Sequence, residues 1–397
     1  METDSPNFFI EINKTNFMFL VSKYENGHLK LIYKNNIPLI GIKDEKIIDF
    51  ELIFKNFKKN IYHLEQKLNH TFKEVILILD NFNYSLSSFA GYKKLNGAQL
   101  QKENITFILN SLKSKIIECE KDKKILHIFN SKFLLDKKNI ENLPIGLFGD
   151  FYSHELSFLL INNNDYKNLT NILNGCNLRV KRVFSKSFIE GADIINENLN
   201  IESFFKIQIN ENDSQILFFQ NSALKFVQNF NFGSDLISKD ISKVLAIKNE
   251  VVKNILLNCD FSGNDFDEKI IEKKYFQDQN FRKIKKQLIL DIAYARIEEI
   301  AEIILIKNIN VHSFLKTGSP IFLSIKENSN LRCFKNIYES VFSKKNSSEV
   351  KLIKQSKVEN LSENALKIVQ YGWKKEALPI INEKKSIIAR FFNLFFD

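Results

Sequence analysis

Short apolar runs and helically spaced apolar residues alternate along this chain. One group of three apolar runs occurs twice, and in each copy the first two runs flank a short polar segment, which predicts a β-hairpin. The runs are Phe8 to Ile12, Phe17 to Val21 and His28 to Tyr33 in the first group, and Phe204 to Ile209, Ile216 to Phe219 and Ala223 to Gln228 in the second. The repeat predicts two related domains.

An amphipathic helix and a buried strand are predicted after the first group. Ile53, Phe57 and Ile61 recur at helical spacing behind Asp49, a potential N-cap. The run Val75 to Leu79 is apolar throughout, which is typical of a strand that is buried on both faces. Hairpin, helix and buried strand together predict an α/β sandwich with a mixed sheet.

Residues 84–163 interrupt this plan. A helix around Ile108 and strands near Ile125 to Phe129 and Leu156 to Ile161 predict a small inserted α+β unit. The first domain then resumes with a helix that we expect Gly175 to end, in the C′ position, and with a strand from Leu178 to Phe184. Later elements are a helix from Leu288 to Ile304, a strand from Ile321 to Leu323 and a helix from Asn364 to Gln370.

Glycine is scarce in this chain. The 12 glycines make up about 3% of the 397 residues, whereas glycine makes up about 7% of average proteins. The motifs G-x-G-x-x-G and G-x-x-x-x-G-K-[ST] are both missing from the sequence, which excludes ordinary Rossmann and P-loop enzymes. H-E-x-x-H and G-x-S-x-G are also missing, so the sequence does not indicate a conventional hydrolase. We therefore predict no catalytic residues and no metal ligands.

The formal net charge is +10, but only six of the 57 basic residues are Arg, the usual reader of bases. We interpret the many lysines as a compositional bias spread over the surface, and we predict no nucleic-acid partner. No apolar run approaches the ~18 to 20 residues of a transmembrane helix, and acidic residues precede the first apolar run, unlike in a signal peptide. We expect a cytoplasmic protein whose membrane contact is peripheral.

An ordered series of motifs runs through nearly the whole chain. Its most specific stretches are Lys124 to His127, Phe133 to Asp136, Leu143 to Gly149, His154-Glu155, Asn168-Leu169 and Gly175 to Val180, followed by Asn231 to Asp235, Arg296 to Ile300 and Ala365 to Gly372. The series resembles bacterial FtsA, the actin-like family that attaches the tubulin-like division ring to the membrane. The resemblance implies the two-domain fold of the actin, chaperone and sugar-kinase superfamily, which agrees with the repeat and the inserted unit.

The resemblance also implies an order of domains. We expect a first actin-like domain at 1–83 and 164–200, the inserted subdomain at 84–163, a second actin-like domain at 201–245 and 310–375, its small subdomain at 246–309, and a linker with a membrane-targeting helix at 376–397.

The nucleotide loops of the family fall on segments that are nearly free of glycine here. The first phosphate loop corresponds to Glu11, Asn13, Lys14 and Thr15, the second to Asn210, Glu211, Asn212 and Asp213, a further turn contains Gly233, and the adenosine-side loop falls near Ser324 to Glu327. Glycine lets backbone N–H groups approach phosphate without a Cβ atom, and carboxylates at Glu211 and Asp213 would repel phosphate. ATP and magnesium are implied by the family, but we interpret these loops as ordinary polar turns and expect no enzyme activity.

The segment 384–397, KKSIIARFFNLFFD, is steeply amphipathic as a helix. At 100° per residue its large apolar side chains fill an arc of roughly 200°, opposite Ser386, Arg390 and Asn393. The side chains expected at an anionic membrane surface are Lys384, Lys385, Ile387, Ile388, Arg390, Phe391, Phe392, Leu394, Phe395 and Phe396. Such a helix suits reversible membrane attachment, and the alternative is that it packs on the body of the protein.

The resemblance implies a function in cell division. An FtsA-like protein would tether FtsZ, the division tubulin, to the inner face of the cell membrane at the septum, self-associate and contact other divisome proteins. In the family the FtsZ C-terminal peptide docks on the small subdomain of the second half, where Arg282, Lys286 and Arg296 are candidate contacts for an acidic peptide. Two alternatives stay open, a PilM-like assembly scaffold and a nucleotide-binding actin-like ATPase.

Overall fold

The computed structural model describes residues 5–13, 16–25, 28–38, 40–43, 46–80, 82, 84–261, 269–276, 279–316, 318–326, 334–345 and 349–377. These residues form two five-stranded sheets, one four-stranded sheet and a two-stranded ribbon. Three clusters of buried apolar side chains hold the sheets and helices together.

The first part of the chain folds as the apolar pattern predicts. Asp49 accepts a hydrogen bond from the N–H of Leu52 at 2.9 Å and so caps the first long helix, whose buried face includes Phe57. The Phe57 ring stacks on Phe17 with centroids 4.2 Å apart, which fixes the helix on the hairpin. The elements are β1 (Asn7–Ile12), β2 (Asn16–Glu25), β3 (His28–Pro38), β4 (Ile42–Lys43), β5 (Lys46–Ile47), α1 (Phe50–Leu68) and β6 (Glu74–Leu79).

The inserted unit is an antiparallel sheet with one helix on its face. Its strands lie in the order β7-β10-β8-β9, and α2 buries Ile108, Leu112 and Ile116 against them. The chain then returns to the first sheet. The elements are β7 (Ser85–Lys94), α2 (Lys102–Cys119), β8 (Lys123–Leu135), β9 (Lys138–Ile140), β10 (Phe151–Asn162), α3 (Asn163–Gly175), β11 (Arg179–Ser185) and α4 (Lys186–Glu197).

The second half builds another five-stranded sheet and a group of helices beside it. Its elements are β12 (Phe204–Ile209), β13 (Ser214–Gln220), β14 (Ala223–Phe230), α5 (Asp235–Leu245), α6 (Asn249–Asn258), α7 (Lys286–Ala301), α8 (His312–Leu315), β15 (Ile321–Ile325), α9 (Lys335–Lys345), β16 (Val350–Ile353) and α10 (Val358–Tyr371). Helix α7 continues as a π-helical turn, Glu302–Ile306, and short 3₁₀ turns cover Lys273–Phe276 and Ile309–Val311.

The two five-stranded sheets have one topology. The first has the order β11-β6-β1-β2-β3 and the second β16-β15-β12-β13-β14. In each sheet the opening hairpin and the third strand are antiparallel, and the two later strands run parallel to the first. The repeat and the mixed α/β sheets predicted from the apolar pattern are therefore confirmed, while the exact domain boundaries stay predictions.

Two predicted helix ends were wrong. Helix α3 includes Gly175, and the left-handed residue that follows the helix is Asn177, with φ of 60°. Gly175 serves a contact instead, because a Cβ atom there would lie 2.7 Å from the ring of Phe54. Helix α10 begins at Val358, six residues before the predicted start, and Leu361 extends its buried face by about one turn in that direction.

Close packing of α4 on β13 generates a first prediction. A Cβ atom on Gly191 would lie 2.1 Å from the ring of Phe219, a fully buried side chain of the second sheet. We expect Gly191→Ala to lower the free energy of unfolding by about 1–3 kcal/mol, because overpacking outweighs the gain in helix propensity. Urea unfolding measures this cost. In a Phe219→Leu background the same substitution should cost less, and an equal cost in both backgrounds would contradict the contact.

Candidate functional site

The described residues that we predicted for a nucleotide site lie near helix α4, which contacts both five-stranded sheets. We call this region the interdomain site, and define it as the carboxyl ends of β1, β6 and β11, helix α4, the residue pair Asn13 and Asn16, and the turn 210–213. The strands β1, β6 and β11 are adjacent and parallel, so their carboxyl ends lie at one edge of the sheet. In open α/β sheets such an edge is where ligands usually bind.

The first turn is closed by its own hydrogen bonds. The N–H of Asn13 donates to the carbonyl of Asn16 at 3.0 Å, and the Asn13 side-chain oxygen accepts from the N–H of Asn16 at 2.8 Å. Lys14 and Thr15, which we also predicted for this site, lie outside the described residues. Glu11 precedes the turn on β1 and is only 2% exposed.

The second turn is closed in the same way. The N–H of Asn210 donates to the carbonyl of Asp213 at 2.9 Å, and the Asn210 amide donates to the Asp213 carboxylate at 2.7 Å. Glu211 and Asn212 are exposed, and Glu211 forms a 3.4 Å ion pair with Lys253 on α6. The two hairpins thus use equivalent backbone bonds, as the repeat implies.

Gly233 lets the start of α5 approach this second turn. A Cβ atom on Gly233 would lie 2.3 Å from the carbonyl oxygen of Asn210. The N–H groups of Ser234 and Asp235 donate to the carbonyls of Asn210 and Glu211, both at 2.9 Å. These N–H groups at the start of a helix could have bound an anion, but here the turn itself satisfies them.

The described residues of these turns do not fit a bound polyphosphate. Their backbone N–H groups at Asn13, Asn16 and Asn210 bond within the turns, and the second turn adds the carboxylates of Glu211 and Asp213, which would repel a phosphate. Within the described ranges, no group of three or more His, Cys, Asp or Glu side chains is arranged to hold a metal ion. We therefore derive no chemical step through ATP or magnesium.

Helix α4 supplies the polar side chains that occupy the interdomain site, and the sequence analysis missed them. Lys186, Glu190 and Asp193 have i, i+4, i+7 spacing, so they form one stripe along the helix. Each of them bonds to a residue distant in sequence. The spacing itself was the available signal, because charged residues that recur along one stripe are unusual in a helix whose residues are mostly buried.

Lys186 lies between two carboxylates of the first domain. Its Nζ is 2.8 Å from Glu11 Oε1 and 2.8 Å from Asp80 Oδ2. Burial tends to lower the pKa of this ammonium, but the charges of Asp80, Glu11 and Glu190 outweigh burial and raise the pKa well above its ordinary value. Burial also raises the pKa of Glu11, whose second oxygen is buried without a hydrogen-bond partner.

The rest of the stripe reaches the second domain. Glu190 pairs with Lys206 on β12, and Lys206 also donates to Gln208 at 3.0 Å. Gln208 then donates to Asn210 at 3.2 Å. Hydrogen bonds therefore connect α4 to the turn 210–213, which we predicted as the second phosphate loop. Asp193 accepts a hydrogen bond at 2.6 Å from Asn364 on α10.

The segment 373–377, after α10, packs across both domains. The Trp373 indole donates to the carbonyl of Ser222 at 2.9 Å. The segment then pairs with β8, because the Asn130 N–H donates to the carbonyl of Lys375 at 2.7 Å and the Ala377 N–H donates to that of Ile128 at 2.8 Å. This short strand addition holds the chain immediately before residue 378.

Glu376 of this segment is buried beside His127 and Arg182. His127 Nε2 accepts from the Ser185 N–H at 3.3 Å, so its proton lies on Nδ1, which donates to Glu376 at 2.7 Å. Burial lowers the pKa of His127, which keeps the imidazole neutral. Burial tends to raise the pKa of Glu376, but His127 and Arg182 lower it more, so the carboxylate stays ionised.

The chain is similar to known cell division proteins along most of its length. Cell division protein FtsA from Buchnera aphidicola subsp. Baizongia pistaciae is 23% identical over 315 residues, which cover 76% of this chain and 73% of the relative. Cell division protein FtsA from Neisseria meningitidis serogroup B is 22% identical over 303 residues, which cover 75% and 72%. No protein-family model matches the chain.

A solved structure adds the fold. The PilM-PilN type IV pilus biogenesis complex contains a chain that is 9% identical, with a TM-score of 0.53 and coverage of 94% of this chain and 99% of that one. Together with the two sheets of one topology, this likeness shows the actin-like fold. The chain is similar to FtsA proteins at the low sequence identity expected of a divergent relative. Its relatives support a function in cell division.

The basic residues predicted for partner binding in this FtsA-like protein each have an intrachain contact. Arg282 donates to the carbonyl of Leu245 at 2.7 Å, at the end of α5, and Lys286 donates to the carbonyl of Asp260 at 2.7 Å. Arg296 on α7 pairs with Asp240 and Glu299. A docking acidic peptide would compete with two carboxylates for Arg296, and the role of all three residues stays a prediction.

The buried His127 generates a prediction on pH. The folded chain holds this imidazole neutral, whereas the unfolded chain protonates it below its ordinary pKa of 6.5, so the free energy of unfolding should fall as the pH drops below about 6.5. His127→Gln keeps a neutral side chain and should make the stability less dependent on pH between about 5 and 6.5. Urea unfolding at a series of pH values measures the slope.

His63→Gln, on the exposed face of α1, is the matched control and should leave the slope unchanged. In His127→Gln the free energy of unfolding should depend less on pH, but some dependence should remain. Burial also lowers the pKa of His154 to about 4, so His154 still contributes to the dependence on pH. An unchanged slope in His127→Gln would contradict the neutral imidazole.

Proposed function

We propose that this FtsA-like protein is a membrane adaptor of cell division. It tethers FtsZ to the inner face of the cell membrane at the division site, self-associates and contacts other divisome proteins. The observation that carries the proposal is its similarity to curated FtsA proteins over about three-quarters of the chain. The adaptor role needs no ATP hydrolysis, which agrees with interdomain turns that do not fit a polyphosphate.

Membrane attachment is assigned to the segment 384–397. None of the helices in the described ranges combines the length and apolarity that crossing a bilayer requires. The assignment therefore depends on the amphipathic sequence of the segment, which lies outside the described residues. The pairing of residues 375–377 with β8 supports this assignment, because the chain that leads to the segment 384–397 then starts at a fixed point on the folded protein.

Liposome co-sedimentation tests this attachment. We expect the full chain to pellet with anionic vesicles and a chain ending at Glu383 to stay in the supernatant. Lys384→Gln/Lys385→Gln should weaken binding to anionic vesicles by about 30-fold, because each lysine contributes roughly 1 kcal/mol near such a surface.

Phe391→Asp/Phe395→Asp is the complementary variant, since it keeps both lysines and removes apolar side chains one helical turn apart. It should abolish binding to neutral and anionic vesicles alike. If the full chain and the truncated chain both remain in the supernatant, the adaptor proposal is contradicted. A soluble scaffold of the PilM kind, which shares the fold, would then take its place.

Binding of FtsZ is tested with a labelled peptide. We expect the acidic C-terminal peptide of FtsZ to bind the chain in fluorescence anisotropy, with an affinity that falls as salt is added. Arg282→Ala, Lys286→Ala and Arg296→Ala should each weaken binding several-fold, whereas Lys367→Ala, exposed on α10, should not. Equal affinity for all four variants would place the peptide elsewhere.

A further inference from the structure

Three adjacent parallel strands bring one cation and two anions together at the interdomain site. Glu11 is the penultimate residue of β1, Asp80 directly follows β6, and Lys186 directly follows β11. The backbone links the first two, because the Asp80 N–H donates to the carbonyl of Ile12 at 2.8 Å. The strand order β11-β6-β1 therefore fixes the three side chains at one edge of the sheet.

The two carboxylates need a positive charge between them. The Glu11 side chain is 3% exposed and that of Asp80 is 17% exposed, so water screens their mutual repulsion poorly. Carboxylate oxygens converging on one point are the ligands that a hydrated divalent cation prefers. Here the ammonium of Lys186 lies at that point, 2.8 Å from an oxygen of each carboxylate.

We propose that Lys186 is a built-in cation, which replaces an exchangeable divalent cation at the carboxyl ends of β1 and β6. It keeps these strands and α4 together without any dissociable ligand. Since α4 also bonds to the second sheet through Ser187 to Gln215 at 2.8 Å and through Glu190 to Lys206, the same side chain helps to hold the two domains in one arrangement. This proposal does not depend on the tethering role.

The proposal explains why the loss of the phosphate-loop glycines is tolerated. In a protein whose domains close on a metal-bound nucleotide, removing the ligand leaves unbalanced carboxylates between the domains. Here the balancing charge is covalently part of the chain, Asn13 and Asn16 bond to each other, and the turn 210–213 is closed by its own hydrogen bonds.

Thermal unfolding of the full chain with added cations tests the proposal. Lys186→Ala leaves space and two unpaired carboxylates, so we expect its Tm to fall by about 5 °C or more. Adding 10 mM Mg²⁺ should then raise the Tm of Lys186→Ala by roughly 1–3 °C, relative to NaCl of equal ionic strength. Lys186→Met, whose side chain fills the space, should lose stability without responding to Mg²⁺, and the natural chain should not respond either.

Two results would overturn the proposal: a Tm of the natural chain that rises with Mg²⁺, or a destabilised Lys186→Ala that Mg²⁺ does not stabilise. A further variant covers the case in which the single variants do not fold. Glu11→Gln/Asp80→Asn/Lys186→Met removes all three charges and should be more stable than Lys186→Met alone. A triple variant that is no more stable would show that Lys186 does not neutralise these carboxylates.

Discussion

A path of charged side chains, formed by Lys186, Glu190 and Lys206, connects the first sheet to the second and constrains how the two domains are arranged. Removing these groups from water costs several kcal/mol each, a cost that is offset only when every partner is in place. Helix α4 therefore has one acceptable position, with Lys186 at the carboxyl ends of β1 and β6 and Gly191 against Phe219. The tight apolar contact and the charged pairs both restrict rotation of this helix.

The apolar pattern predicted the sheets well and the interdomain contacts poorly. Burial decides which residues of a strand or helix are apolar, so the hairpins, α1 and the repeat could be recognised from single segments. The partners of α4 could not, because Glu11 and Asp80 precede Lys186 by 175 and 106 residues. The pairing of His127 with Glu376 spans 249 residues. The sequence shows the charged residues along α4, but only the folded structure shows which residues pair with them.

The interdomain turns contain asparagine where the family resemblance implies glycine, and these asparagines form hydrogen bonds within the turns. A phosphate loop must leave N–H groups unsatisfied until its ligand arrives, which destabilises the empty protein. Asn13 and Asn210 instead satisfy their turns with side-chain and backbone bonds. Asparagine suits such turns because its side chain imitates a backbone turn. The two halves thus close equivalent hairpins with the same type of residue, which preserves the duplicated architecture.

The pairing of residues 375–377 with β8 also has a mechanical consequence. A chain segment that is pulled away from a body transmits tension to the first bonds that resist it. Here those bonds run from Ala377 and Lys375 to Ile128 and Asn130 of the inserted subdomain, and behind them lies the buried carboxylate of Glu376. Tension on the chain beyond Ala377 would enter the protein through the inserted subdomain and spare α10, so that subdomain is the first part of the body to be deformed.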